Sequence, residues 1–238
     1  TLVTLWQKAY DLAERVPIPD GIVRLGVGAL VGRTSRQLAL ARRDATESFA
    51  TELERLPIAI HTDTANDQHY ELPASFFELV LGPQRKYSCC FYDEPDSTLA
   101  QAEERALALT AEHAGLSDGQ TILELGCGWG SLSLWMGRTY PRARILAVSN
   151  SRSQRTFIEG KARAEGLNNI ELVTADMNHF DTERKFDRIV SVEMFEHMAN
   201  WRELLSRCRR WLASDGRTFM HVFTHRSTPY RFDHAEKD

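Results

Sequence analysis

The sequence has no uninterrupted apolar run of the length, about 18 residues, that a membrane-spanning helix needs. It has no charged-then-apolar leader pattern at residues 1–20. It has no G-x-x-x-x-G-K-[ST] loop, which argues against a nucleoside triphosphatase. Its four cysteines, Cys89, Cys90, Cys127 and Cys208, form no C-x-x-C pair, so no metal site is expected. Neighbouring Cys89 and Cys90 cannot bond each other without strain. Such thiol usage suits a reducing cytoplasm. There is little net charge, −4, so nothing in the balance points to nucleic acid. There is no internal repeat and no low-complexity tract. What remains is an ordinary globular composition, 42% apolar and 26% charged, over 238 residues.

Two regions are expected. Residues 1–96 read as a helical arm followed by a cap or lid. Leu5, Ala9, Leu12 and Ala13 recur at helical spacing until Pro17 and Pro19 interrupt. Residues 21–43 hold Arg24, Arg33, Arg36, Arg42 and Arg43, apolar residues between them, and no acid. That stretch is either an arm packed on the main domain with a solvated basic face, or a helix touching an anionic membrane surface. Gly26, Gly28 and Gly32 weaken a long helix and favour the packed arm. Residues 57–96 are rich in aromatic and turn residues and lack periodicity.

Residues 97–238 read as an α/β domain. A helix spans 98–114, capped by Ser97 or Thr98 and stopped by Gly115. Strands are expected at 121–125, 143–149, 170–175, 186–192 and 217–223. Helices are expected at 131–140, 152–165 and 201–212, the last capped by Asn200. Alternation of apolar strands with helices implies a parallel sheet covered on both faces. The strand at 217–223 would be an exposed edge, so self-association is expected.

Glu124-Leu125-Gly126-Cys127-Gly128-Trp129-Gly130 joins the first strand to the first helix of this sheet. Gly126 and Gly128 allow a tight turn and close approach of backbone to a ligand. The spacing is tighter than the dinucleotide fingerprint and resembles motif I of Rossmann-like methyltransferases. The second strand ends in Val148-Ser149-Asn150, with no acid for ribose hydroxyls. Gln154, one helical turn on, could serve through its amide oxygen. Asp176 is placed to accept from an adenine amino group and Met177 to pack on the ring. The plainer readings are a turn residue and a core residue.

Glu193-Met194-Phe195-Glu196-His197 follows the fourth strand, where such sheets place active sites. On a helical turn Glu193 would share a face with Glu196 and neighbour His197. The plainer reading is capping with a supporting hydrogen bond.

Ordered blocks carry a resemblance: NDQHYELPASFFELVLG (66–82), KYSCCFY (86–92), LELGCGWGSLSL (123–134), SNSRSQR (149–155), TADMNHF (174–180) and SVEMFEHM (191–198). On these the chain is identified as a member of the family joining cyclopropane-fatty-acid synthases to coclaurine-type N-methyltransferases. The resemblance implies a Rossmann-like methyltransferase fold and S-adenosylmethionine as cofactor. By the same resemblance Tyr87 and Ser88 meet its methionine end. Glu124, Gly126, Cys127, Gly128, Trp129, Gly130 and Glu193 line the methionine and ribose. Ser149, Asn150 and Gln154 hold the ribose, and Asp176 and Met177 frame the adenine. Sheets of this kind gain two more strands beyond 217–223, so the sheet is expected to be incomplete here.

The resemblance implies two chemistries. In the lipid-modifying branch a bicarbonate base is held by Cys89, Glu196 and His221, with a tyrosine that would fall after residue 238. In the amine branch Glu193, Glu196 and His197 act as base and orienters. The block 69–73, with Glu71, and 221–225, with Phe223, look more like the amine branch. A small amine is therefore the expected substrate and an unsaturated acyl chain the alternative. An intact Glu193, Glu196 and His197 argues against a non-catalytic cofactor-binding protein.

Overall fold

A computed structural model describes residues 18–40, 44–60, 73–226 and 228–229. The helical run at Leu5–Ala13, its break at Pro17, the basic pair Arg42 and Arg43, and His69–Glu71 lie outside the described residues. The chain divides into two compact units, residues 1–52 with 224–238, and Leu53–Phe223. The division expected between residues 96 and 97 falls inside the second unit.

In the first unit, helix α1 runs Asp20–Ala39 without interruption. Its three interior glycines do not break it. A Cβ at any of them would meet nothing within 4 Å, so packing does not demand them either. Arg24 pairs with Asp20 one turn earlier, at 2.7 Å. No residue of α1 is buried. Helix α2, Ala45–Leu53, follows. Among the described residues no helix is long and apolar enough to cross a membrane.

The second unit is a five-stranded parallel sheet in the order β3-β2-β1-β4-β5. The strands are β1 Thr121–Leu125, β2 Arg144–Ser149, β3 Ile170–Thr174, β4 Phe186–Val192 and β5 Leu212–His221. β1, β2 and β4 carry buried apolar residues on both faces, as burial on both sides requires. Leu123, Leu125 and Ile189 point to one layer with Phe195, Leu204 and Trp211. Ile122, Ile145 and Val190 point to the other with Leu107, Trp135 and Met136. The first layer is covered by α7, Trp201–Trp211. The second is covered by α4, Leu99–Ala114, and α5, Ser131–Thr139. Helix α6, Arg152–Ala164, packs Ile158 and Ala162 against Ala147 of β2.

Local chemistry sets the ends. Thr98 and Gln101 form a reciprocal capping box on α4, and Gly115 closes it in the left-handed region at φ 62°. β5 begins five residues earlier than expected. Leu212 already pairs with Phe186, and an irregularity then shifts the register before Arg188 meets Arg217. The Asp215-Gly216 pair, which reads as a turn, sits in that irregular stretch. β5 does stand at an edge of the sheet.

Residues 57–60 and 73–96 belong with the sheet through specific contacts. The Ile58 carbonyl accepts from Ala199 N at 2.7 Å. The Asn178 amide bonds both polar groups of Ala59, each at 3.0 Å. Helix α3, Ala74–Val80, buries Phe77, whose ring lies 4.7 Å from that of Trp129.

Asn200 ties the chain just before residue 57 to α7. Its Oδ1 accepts from Glu203 N at 3.0 Å, capping the helix, while its Nδ2 donates to the carbonyls of Glu54 and Leu56. Asn200→Ala should therefore destabilise by about 1–3 kcal/mol, the sum of a lost cap and orphaned carbonyls. Asn200→Asp, which keeps the cap alone, should fall between. Urea denaturation of the three proteins checks this; equal midpoints for Asp and Ala would mean the amide donors contribute nothing.

Candidate active site

β1 leads into three consecutive positive-φ glycines, Gly126 at 80°, Gly128 at 52° and Gly130 at 80°. They differ in what surrounds them. A Cβ on Gly126 would lie 2.7 Å from Met194 Cβ, and one on Gly130 2.6 Å from Ile158 Cγ1. A Cβ on Gly128 would meet nothing within 4 Å. Gly126 and Gly130 are thus required by packing, and Gly128 presents bare backbone to open space. That space is a cavity of about 350 Å³ at the C-terminal ends of β1, β2 and β4.

Glu124 projects from β1 to the cavity wall, 4% exposed. Ser133 Oγ donates to its Oε2. Burial pushes its pKa up to about 7, and the serine bond offsets only part of that. Beside it the buried Cys127 thiol is pushed well above its ordinary value, first by burial and then by the charge of Glu124. Cys127 is therefore inert packing in this wall.

The end of β2 forms a second wall. Ser151 Oγ caps α6, accepting from Gln154 N at 3.3 Å. Ser149 Oγ accepts from Ser151 N at 3.2 Å and donates to Gln154 Oε1 at 2.7 Å. The amide oxygen expected to reach a ribose is therefore already engaged. The unengaged atom is Gln154 Nε2, buried, lacking a partner and part of a residue that lines the cavity. Asn150, Asp176 and Met177 line it too. Asp176 Oδ1 also accepts from Asn178 N at 2.8 Å, so it is a turn residue as well.

A third wall comes from Arg85–Ser88. Glu103 in α4, with no exposed surface, organises it: its two carboxylate oxygens accept from Gln84 N at 2.9 Å and Lys86 N at 3.1 Å. Tyr87 is not a core aromatic. It is 57% exposed, lines the cavity, and meets Phe77 edge-on at 5.5 Å. Lys86 is 7% exposed and its ammonium donates to Ser88 Oγ. Arg85, at φ 52°, places its guanidinium carbon 4.3 Å over the Phe157 ring and keeps a buried, unpartnered Nη1. Both cations directly precede Tyr87 in sequence.

β4 ends differently from expectation. Glu193 adopts φ 52°, and only Phe195–His197 form a short 3₁₀ turn. Glu193 and Glu196 consequently do not share a helical face. Glu193 Oε1 accepts from Cys89 N at 3.4 Å, whereas Glu196 Oε1 accepts from Phe223 N at 3.4 Å. Glu193, Met194 and His197 line the cavity, and His197 is exposed. Glu196 is half-buried, and its Oε2 is buried without a hydrogen-bond partner.

The trio expected for bicarbonate is also regrouped. Cys89 Sγ lies 4.0 Å from His221 Nε2, and the carboxylate beside them is that of Glu193. Burial, and then the Glu193 charge, raise the Cys89 thiol above its ordinary pKa. Three ligand-type side chains thus meet although no C-x-x-C pair announced them.

Glu124 supplies a pH test. Its folded pKa stands above the unfolded value of 4.5, so its contribution is complete below that value and is lost as pH rises through about 7. The melting temperature should fall between pH 5 and pH 7.5, and Glu124→Gln should flatten that fall. Parallel curves for the two proteins would mean Glu124 is ionised throughout.

Comparison with known proteins extends this geometry. The sequence profile of the family described as mycolic acid cyclopropane synthetase matches residues 59–237. An (S)-coclaurine N-methyltransferase of Thalictrum flavum subsp. glaucum is 38% identical over 78% of this chain and 52% of its own. Cyclopropane mycolic acid synthase 1 of Mycobacterium tuberculosis is 32% identical over 71% of this chain and 59% of its own. A crystal structure of coclaurine N-methyltransferase bound to N-methylheliamine and SAH superposes with TM-score 0.87 at 31% identity, covering 91% of this chain and 63% of that one. The mycolic acid cyclopropane synthase CmaA1 with SAH and CTAB gives 0.61 at 30% identity, covering 68% and 57%. The chain spans about half the length of the curated relatives it matches. A glycine turn between β1 and α5, a wall from the Arg85–Ser88 segment and carboxylates at the end of β4 fall within the matched residues, and the chain belongs to the mycolic acid cyclopropane synthetase family.

Proposed function

We propose that this chain is the cofactor-binding part of an S-adenosylmethionine-dependent N-methyltransferase acting on a small amine. The residues of the cavity suit that cofactor. Bare backbone at Gly128 admits close approach. Gln154 Nε2 is a buried donor in want of an acceptor, suited to a ribose oxygen. Asp176 and Met177 suit the adenine. Lys86, and Arg85 through the Nη1 that its ion pair with Glu78 does not use, add donors at the wall where Tyr87 and Ser88 stand, suited to the methionine carboxylate. When bound, S-adenosylmethionine supplies a methyl group on an electrophilic sulfonium.

One observation favours amine over acyl chain. The backbone N–H of Cys89, the donor an anionic base would use there, is engaged by the Glu193 carboxylate. A bicarbonate placed against Cys89 and His221 would lie beside a like charge, which disfavours it. The same carboxylate favours a cationic or partly charged amine. Six curated relatives, 30–38% identical, are named as N-methyltransferases. A tertiary amine is methylated without losing a proton, whereas a primary or secondary acceptor nitrogen gives one up on balance. Glu196 Oε2, buried and unpartnered, is the acceptor for it, with Glu193 and His197 orienting the substrate.

Two variants test the assignment together. Glu196→Gln keeps shape and removes the base, so turnover should fall roughly a hundredfold or more while calorimetric affinity for S-adenosylhomocysteine holds. Gln154→Ala should show the reverse pattern, weaker cofactor binding first. Near-normal turnover with weakened binding in Glu196→Gln would make Glu196 a cofactor or structural residue.

A further inference from the structure

We infer that Cys89, Glu193 and His221 form a binding site for a soft divalent cation of the zinc class, and that its occupation inhibits the enzyme. The three side chains come from three separate segments: the loop after Lys86, the residue after β4 and the last residue of β5. One ligand atom from each lies within 4.8 Å of the others. Zinc bonded to a thiolate at about 2.3 Å and an imidazole at about 2.0 Å in tetrahedral geometry sets those two ligands about 3.5 Å apart. Cys89 Sγ and His221 Nε2 stand at 4.0 Å, a few tenths of an ångström wider. Closing that gap is a side-chain adjustment, not a backbone one.

The donor set selects the metal. Thiolate, imidazole and carboxylate together suit zinc-class ions, whereas calcium and magnesium require oxygen donors. Three protein ligands leave a fourth position open to water, as in open zinc sites. Cys89 is exposed, so an ion reaches the site from solvent without opening the fold. On binding, the Cys89 S–H bond breaks, a sulfur–metal bond forms and the proton passes to solvent; no electron is transferred.

Two backbone features make the cluster more than chance proximity. Glu193 is held in the left-handed region, which non-glycine residues occupy at a cost, and its N–H donates to the carbonyl of His221 at 2.8 Å. The same bond therefore fixes two of the three ligand-bearing residues against each other. The third is tethered by Cys89 N to Glu193 Oε1. A bound ion ties the loop to both strand ends and engages Glu193, a wall residue of the cavity. That engagement is the source of inhibition, and the binding itself does not depend on which acceptor is methylated.

Titration of the tag-free protein with Co²⁺, read by absorption, tests the site. One equivalent should bind with a thiolate-to-cobalt charge-transfer band, and Zn²⁺ should displace it. Cys89→Ser should abolish the band, and His221→Asn and Glu193→Gln should each weaken binding by at least about tenfold, the lower scale for lost supporting groups around metals. Circular dichroism confirms folding of each variant. Independently, Zn²⁺ should slow alkylation of Cys89 in the unsubstituted protein, read by peptide mass spectrometry. Absence of a saturable thiolate–cobalt band, a band that survives Cys89→Ser, or alkylation of Cys89 unaffected by Zn²⁺ would overturn the proposal.

Discussion

The backbone of Glu193 turns in the left-handed region, at a cost of about 1–3 kcal/mol for a non-glycine residue. The hydrogen bond from its N–H to the His221 carbonyl holds it there, at the point where β4 and β5 stop pairing. Much of the site follows from this turn. It sends the Glu193 carboxylate toward Cys89 and lets Met194 pack directly on Gly126, so that the glycine turn and the acid-bearing turn touch. It also separates Glu193 from Glu196, which accepts from Phe223 N just after β5. Two carboxylates three residues apart in sequence thus acquire different surroundings.

A second constraint is burial of charge. Glu103 is fully buried, yet its two oxygens meet two backbone N–H groups, and the segment carrying Arg85, Lys86 and Tyr87 is shaped around it. Gly82 has to be glycine for the same reason, since a Cβ there would lie 2.4 Å from Glu103 Oε2. Glu124 has only Ser133 and responds by a raised pKa. Gln154 Nε2 and Glu196 Oε2 have no partner at all among the described residues. Buried polar atoms left unpaired are expensive in an ordinary core. Here the first lines the cavity and the second stands in the turn beside it.

Much of this was legible in the sequence. β1 and β4 appear at their expected bounds, because buried parallel strands read as short apolar runs between turn residues. Asn200, Thr98 and Gly115 announce helix ends through chemistry that acts within a few residues. The departures have a different character. β5 begins early because an irregularity in pairing with β4, invisible in one strand alone, accommodates Asp215-Gly216. Residues 57–60 and 73–96 join the sheet through Asn178, Glu103 and Trp129, partners distant in sequence. A positive φ at Glu193 has no signature in residue type, so the helical face drawn through Glu193 and Glu196 dissolves. Gln154 was found, but its functional atom depends on Ser149, which occupies the oxygen and frees the nitrogen. Arg85 and Lys86 have no signature as site residues, because adjacent cations usually belong to a solvated surface.

The central claim is that the carboxylates around this cavity serve transfer of a methyl group to nitrogen. The most direct measurement supplies the purified protein with methyl-labelled S-adenosylmethionine and a mixture of secondary and tertiary amines beside unsaturated phospholipid, and reads the products by mass spectrometry. The account predicts label on amine nitrogen and none in acyl chains. Label incorporated into the acyl chains, with the amines unchanged, would contradict it.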